Sequence, residues 1–188
     1  MKRYIKKIAL LPLLFITGFT YPSMDGNSLE KIKNTDMDIN GEKPSVSNVQ
    51  QTPDLKFKDE DGRTISLSSL NGKVVFINFW ATWCPPCIHE MPSINELKQS
   101  FKNNENIVFL MVDVDNKMEK SLAFMEKNRY DLPVYVPTSN IPPNYLGGAI
   151  PTTVILDKSG DMIARIEGGR DYTSPEIIKA LNELVESN

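Results

Sequence analysis

The run Val74-Val75-Phe76-Ile77-Asn78-Phe79-Trp80 leads directly into Cys84-Pro85-Pro86-Cys87. An unbroken apolar run of this kind suits a parallel strand buried on both faces. The stretch after it can be helical. Proline is at home in a first helical turn, where its missing N–H has no intrahelical partner. The spacing therefore predicts a helix that starts at Pro85. The helix dipole and free N–H groups lower the pKa of a cysteine thiol at such an N-terminus. Two cysteines three residues apart in that turn can also bond to each other. Strand, cysteine pair and helix together form the arrangement that dithiol redox chemistry requires.

Other uses of the pair fit less well. A structural zinc site needs four ligands. The chain has two cysteines and one histidine, His89, two residues beyond Cys87. A purely structural disulfide would close a very short loop, and chain-entropy stabilisation grows with loop length. A redox dithiol remains the strongest reading.

The rest of the chain supplies a frame. Leu55-Lys56-Phe57 and Thr64-Ile65-Ser66-Leu67 alternate around the turn Asp59-Glu60-Asp61-Gly62 and predict a hairpin. Met91, Ile94, Leu97 and Phe101 give the first helix an apolar side, and Pro92 should kink it. Further strands are expected over Ile107–Val112, Val134–Val136, Thr152–Leu156 and Met162–Ile166. A helix is expected from Met118 to Arg129, and Ile141–Gly148 should be mostly loop. Ser174 can cap a last helix with Pro175 at its first position. Ile177, Ile178, Leu181, Leu184 and Val185 recur there at helical spacing. Strands alternating with helices give an α/β fold with a central mixed sheet covered on both faces.

Asn78-Phe79-Trp80-Ala81-Thr82-Trp83-Cys84-Pro85-Pro86-Cys87-Ile88-His89-Glu90-Met91-Pro92 resembles the active-site segment of the thioredoxin-like superfamily. Within it, the match is closest to the TlpA/ResA-type extracytoplasmic thiol-disulfide oxidoreductases. The resemblance continues through Ile150-Pro151-Thr152-Thr153-Val154-Ile155-Leu156-Asp157-Lys158-Ser159-Gly160. It implies a thioredoxin-like fold, with helices flanking a central mixed β-sheet on both faces, over residues 52–188. It implies a redox-active disulfide between Cys84 and Cys87. Cys84, at the strand-to-helix junction, would attack through an exposed sulfur, and Cys87 would resolve the mixed disulfide. Glu90 would be the proton acceptor for Cys87. Thioredoxins proper carry an aspartate on the entering strand, where this chain has Asn78.

The resemblance further implies that Trp83, Pro86, Ile150 and Pro151 contact substrate, with Ile150-Pro151 in the cis form. Trp80 is expected in the core and His89 on the surface. Pro85 and Pro86 remove two N–H donors, which predicts a Cys84 thiol only moderately acidified, as suits a reductant. The alternatives are a dithiol oxidant or isomerase on the same fold, and a copper-binding module using Cys84, Cys87 and His89. Copper carriers use a wider cysteine spacing and a more distant histidine. Peroxiredoxins resemble Pro-x-x-x-Thr-x-x-Cys, whereas Ala81 stands three residues before Cys84. No cofactor and no resident metal are expected.

Net charge is −3, and the first 23 residues carry Lys2, Arg3, Lys6 and Lys7 with no acid. The remainder is therefore more acidic than the whole, which argues against nucleic-acid binding. The basic start and the apolar stretch from Ile8 to Phe19 predict a signal peptide or N-terminal membrane anchor over residues 1–23. The polar segment 24–51 predicts a flexible linker. Both cysteines lie in the motif, which suits an oxidising space where a stray thiol would pair. The expected location is periplasmic or otherwise extracytoplasmic, with residues 8–19 as the candidate anchor to the inner membrane. The expected partners are disulfide-containing extracytoplasmic proteins, apocytochrome c among them, and a membrane thiol-disulfide electron donor.

Overall fold

The structure is a computed structural model that describes residues 54–187. The expected signal or anchor over 1–23 and the linker over 24–51 lie outside the described residues. So do residues 52, 53 and 188 of the expected domain.

The elements follow in the order β1 (Lys56–Lys58), β2 (Thr64–Ser66), β3 (Val74–Trp80), α1 (Pro85–Ser100), β4 (Ile107–Asp113), α2 (Met118–Asn128), β5 (Val134–Pro137), β6 (Thr152–Leu156), β7 (Met162–Glu167) and α3 (Pro175–Glu186). They build a seven-stranded sheet in the order β2-β1-β5-β4-β3-β6-β7. β3 pairs with β4 in parallel and with β6 antiparallel. β4 and β5 are also parallel, while β1–β2, β1–β5 and β6–β7 are antiparallel. The sheet is mixed, as the residue pattern predicts, but the helices expected on both faces are not so divided: α1, α2 and α3 all pack on one face. The crossovers β3–α1–β4 and β4–α2–β5 step across the sheet in the same direction, and right-handed crossovers then put both helices on the same side.

Every residue of β3 is buried. Its alternating side chains feed two cores, because successive residues of a strand point to opposite faces. Val74, Phe76 and Trp80 join a cluster with Met91, Ile94 and Leu97 of α1, Met125 of α2, and Leu181 and Val185 of α3. Val75, Ile77 and Phe79 join the other cluster with Leu55, Phe57, Leu110 and Tyr145. That second face is closed by a helical turn of the 3₁₀ type, Leu67–Leu70, whose two leucines pack against it. The sequence pattern does not announce this turn, because four residues are too few for a helical period to register.

Asp113 terminates β4 and organises what comes next. Its carboxyl oxygens accept from the Asp115 N–H at 2.8 Å, the Lys117 N–H at 3.0 Å and the Ser121 hydroxyl at 2.7 Å. The group is buried, so these donors replace water. At the other end of the chain, Ser174 accepts from the Ile177 N–H and caps α3, with Pro175 at its first position.

Asp113→Ala would strand three donors at once. It is expected to lower unfolding free energy by about 2–4 kcal/mol. Urea titration at neutral pH reads this as a lower midpoint with an unchanged slope. A loss below about 0.5 kcal/mol would mean that these bonds contribute no net stability.

Candidate active site

The chain leaves β3 through Ala81-Thr82-Trp83, and the Cys84 N–H donates to the Ala81 carbonyl at 3.1 Å. Cys84 is the N-cap of α1, with an extended backbone. Its sulfur takes the place a serine hydroxyl would fill, accepting from the Cys87 N–H at 3.3 Å. Pro85 and Pro86 between them have no N–H to give. A disulfide joins Cys84 and Cys87, with 5.3 Å between their Cα atoms. The Ile150-Pro151 bond is cis, and the Ile150 carbonyl oxygen lies 3.8 Å from the Cys84 sulfur.

The exposed attacking sulfur expected at Cys84 is not what the structure shows. Cys84 is 2% exposed and Cys87 0%. The reason is local: the sulfur is drawn toward Cys87 by the disulfide and faces the Ile150 backbone. Of the two, Cys84 alone reaches the surface at all.

Trp83 and Pro86 stand at the rim. Trp83 is 64% exposed, and its indole N–H donates to the Asp115 carboxylate. This contact ties the indole to the loop that Asp113 builds. Trp80, by contrast, is buried against Phe124. Beside Pro86 opens a groove of about 600 Å³, lined by His89, Ser93, Gly169, Arg170 and Thr173 among others. Gly169 comes so close to the first turn of α1 that a Cβ there would lie 3.3 Å from the Pro86 carbonyl oxygen. The neighbouring Gly168 has φ of +82°, a conformation that favours glycine.

Behind the disulfide lies a buried polar group of four side chains. Glu90, three residues after Cys87 on α1, is 2% exposed. Residues at that spacing share a helix face. The Asn78 amide N–H donates to Glu90 Oε1 at 2.7 Å, and the Arg170 backbone N–H donates to Oε2 at 3.1 Å. The same Asn78 nitrogen donates to the Thr153 hydroxyl at 3.0 Å, and the Tyr172 hydroxyl donates to Thr153 at 2.6 Å. Burial pushes the Glu90 carboxyl up to about 7, while the bonds from Asn78 and Arg170 hold it back. The segment after β7 is tied down on three sides. The Gly168 N–H donates to the Pro151 carbonyl, the Arg170 N–H to Glu90, and the Tyr172 N–H to Ser93 Oγ.

The structure thus sets Cys84, Cys87 and Ile150-Pro151 against one another, with Trp83 and Pro86 around them and Glu90 behind. His89 is exposed on the groove. Among the described residues, no cluster of three or more His, Cys, Asp or Glu is placed to hold a metal ion. The sequence reading does not find Asp115, Thr153, Arg170 or Tyr172. Thr153 left a trace, as a polar residue inside a strand otherwise apolar after it. The other three sit in loops that carry no periodic signal.

A disulfide at the N-terminus of a helix that leaves the centre of a mixed sheet defines a redox protein of the thioredoxin-like class. Comparison with known proteins narrows this: residues 49–166 match the model of the AhpC/TSA family, and the chain belongs to that family. It is a thiol-disulfide oxidoreductase. It is 33% identical over 120 residues to the thiol-disulfide oxidoreductase ResA of Bacillus cereus, covering 63% of this chain and 69% of that one. It is 34% identical over 116 residues to the thioredoxin-like protein YneN of Bacillus subtilis, covering 61% and 68%. Among solved structures, the exposed lipoprotein thioredoxin Etrx1 of Streptococcus pneumoniae superposes with a TM-score of 0.57 at 27% identity. That match covers 70% of this chain and 99% of that one.

The raised Glu90 pKa makes stability depend on pH. Between the ordinary value of 4.5 and about 7, the folded protein holds a proton at Glu90 that the unfolded chain releases. Stability from this group is therefore full below the ordinary value and is lost as pH rises through about 7. The slope is up to about 1.4 kcal/mol per pH unit in that window. Urea unfolding of the oxidised protein at a series of pH values should show this fall, and Glu90→Gln should flatten it. An identical slope in the variant would show that Glu90 is not the group responsible.

Proposed function

We propose that this oxidoreductase acts as an exported reductant of disulfides in extracytoplasmic proteins, with Cys84 as attacking thiol and Cys87 as resolving thiol. The observation that supports this most directly is the Cys84–Cys87 disulfide at the N-terminus of α1, facing the Ile150 backbone. In the reduced protein, the Cys84 thiolate attacks a substrate disulfide. One substrate sulfur leaves as a thiolate, and a mixed disulfide forms. The Cys87 thiolate then attacks the Cys84 sulfur, releasing the second substrate thiolate and closing the Cys84–Cys87 bond. The substrate gains two electrons and the protein loses two. A membrane thiol-disulfide donor restores them.

Glu90 takes the proton of Cys87 in this scheme. A buried thiol resists ionising, so a base on the same helix face speeds resolution. A carboxyl whose pKa lies near 7 suits the work at neutral pH. Trp83, Pro86, Ile150 and Pro151 contact the substrate segment. The Ile150 carbonyl can accept from an extended chain, as in strand addition. Residues 1–23 direct export or anchor the chain, 24–51 act as a spacer, and 52–188 form the working domain. Apocytochrome c is a candidate substrate. The reducing direction is supported by the short supply of N–H donors at Cys84: that of Cys87 remains, and Pro85 and Pro86 give none. A thiolate with few donors is less stabilised, and the dithiol is correspondingly more reducing.

Trapping tests the roles. Cys87→Ser should accumulate substrates on Cys84 as mixed disulfides, and Cys84→Ser should not. Glu90→Gln should form mixed disulfides normally and release them more slowly near neutral pH, by roughly ten-fold or more. Equal trapping by the two cysteine variants would defeat the assignment.

Redox equilibration with glutathione tests the direction. A potential near about −270 mV is expected, and one near about −120 mV would make the protein an oxidant.

A further inference from the structure

We propose that Thr153 is a positioning residue for Glu90, acting by holding the Asn78 amide with its nitrogen turned to the carboxylate. The inference rests on the proton-acceptor reading of Glu90 for its bearing on catalysis, though the geometry stands without it.

The Asn78 side chain is buried in the middle of the sheet. An amide can sit in two orientations that exchange its oxygen and its nitrogen, and its partners decide between them. Here one end of the amide meets both Glu90 Oε1 and Thr153 Oγ1, while the other end, Oδ1, meets no partner. Glu90 alone would not decide the orientation. An ionised carboxylate accepts from the nitrogen, but a protonated carboxyl can instead donate to the oxygen. Thr153 biases the choice by giving the second N–H an acceptor. The observed orientation then satisfies both N–H groups, and the reversed one would leave both at the end that meets no partner. The register of β3 and β6 sets Thr153 directly opposite Asn78, where its oxygen accepts the second N–H. Tyr172 donates to the same oxygen and secures that side chain from the far side.

The sign of the effect follows. With Thr153 accepting, both N–H groups of Asn78 are satisfied and one of them stabilises the charged form of Glu90. Without it, the second N–H is stranded and the carboxylate alone holds the amide in place, so the bond that stabilises the charged form of Glu90 weakens. Loss of the Thr153 hydroxyl should therefore raise the proton affinity of Glu90. The Asn78 amide from β3 and the Arg170 N–H from the segment after β7 donate to Glu90. Thr153 from β6 and Tyr172 stand one bond further along the same network, and Cys87 lies three residues back on the same helix. Burial holds the Tyr172 hydroxyl well above its ordinary value, so it remains a donor throughout the relevant range. In the oxidised protein, Cys87 does not titrate, and the carboxyl can be followed alone.

The experiment is a titration of the oxidised full chain labelled with ¹³C at glutamate carboxyl carbons, with the Glu90 signal assigned by its absence in Glu90→Gln. The double variant Thr153→Val/Tyr172→Phe removes the acceptor without stranding the tyrosine hydroxyl. Its Glu90 midpoint should rise by about one pH unit, the size of one hydrogen bond to a charged group. Tyr172→Phe alone leaves the acceptor in place and should move the midpoint by no more than about 0.3 unit, and Thr153→Ser should keep the wild-type value. A double variant that folds and titrates like wild type would overturn the proposal. So would an equal shift in Tyr172→Phe alone, because that would assign the effect to the network at large. The catalytic reading is tested separately by the pH profile of mixed-disulfide release. A shifted Glu90 midpoint with an unshifted release profile would refute Glu90 as the proton acceptor and still support Thr153 as its positioning residue.

Discussion

A strand walled in on both faces leaves no solvent for a polar side chain, and β3 is such a strand. A polar group on it is costly unless the protein itself supplies a partner. The Asn78 nitrogen is supplied with two, while Asn78 Oδ1 and the Trp80 indole N–H meet none among the described residues. That nitrogen reaches Glu90 on α1 and Thr153 on β6, so one side chain ties the helix that carries the cysteines to the strand that follows the cis proline. The apolar residues around it stack the helices on one face and the hairpin, 3₁₀ turn and loop on the other. Asn78 lies where these arrangements meet the redox site.

The same burial gives Glu90 its chemistry. A carboxyl at the surface of the same helix would keep an ordinary pKa and be ionised at neutral pH. Under the Gly168–Tyr172 segment it is nearly cut off from water, and its proton affinity rises to neutrality. Two opposing effects set the result. Burial raises the pKa, and the donors from Asn78 and Arg170 lower it. Since burial is the larger, the group is poised between its two forms.

Much of this was legible in the residues. The cysteine pair, its helix and the strand before it follow from an apolar run meeting two prolines. Glu90 was legible by its distance from Cys87 once the family resemblance was drawn, and the apolar side of α1 by Met91, Ile94 and Leu97. The remainder depends on pairing and on loop paths. Thr153 becomes a partner of Asn78 only through the register of β6 on β3. Arg170 contributes a backbone N–H, which any residue but proline could supply. Asp115 meets Trp83 because Asp113 bends the chain after β4. The near-burial of Cys84 was also hidden, since it arises from the disulfide and from Ile150, far along the chain.

The three ties of the Gly168–Tyr172 segment have a consequence for the order in which the site is made. Both cysteines and Glu90 belong to the first half of the chain, but the N–H that completes Glu90 comes from Arg170 and the cover over it from residues up to Tyr172. A growing chain that has emerged only as far as β5 thus carries its thiols without the cis-proline face or the roofed carboxyl. The redox site is assembled late in synthesis, when β6, β7 and the segment beyond them close onto β3.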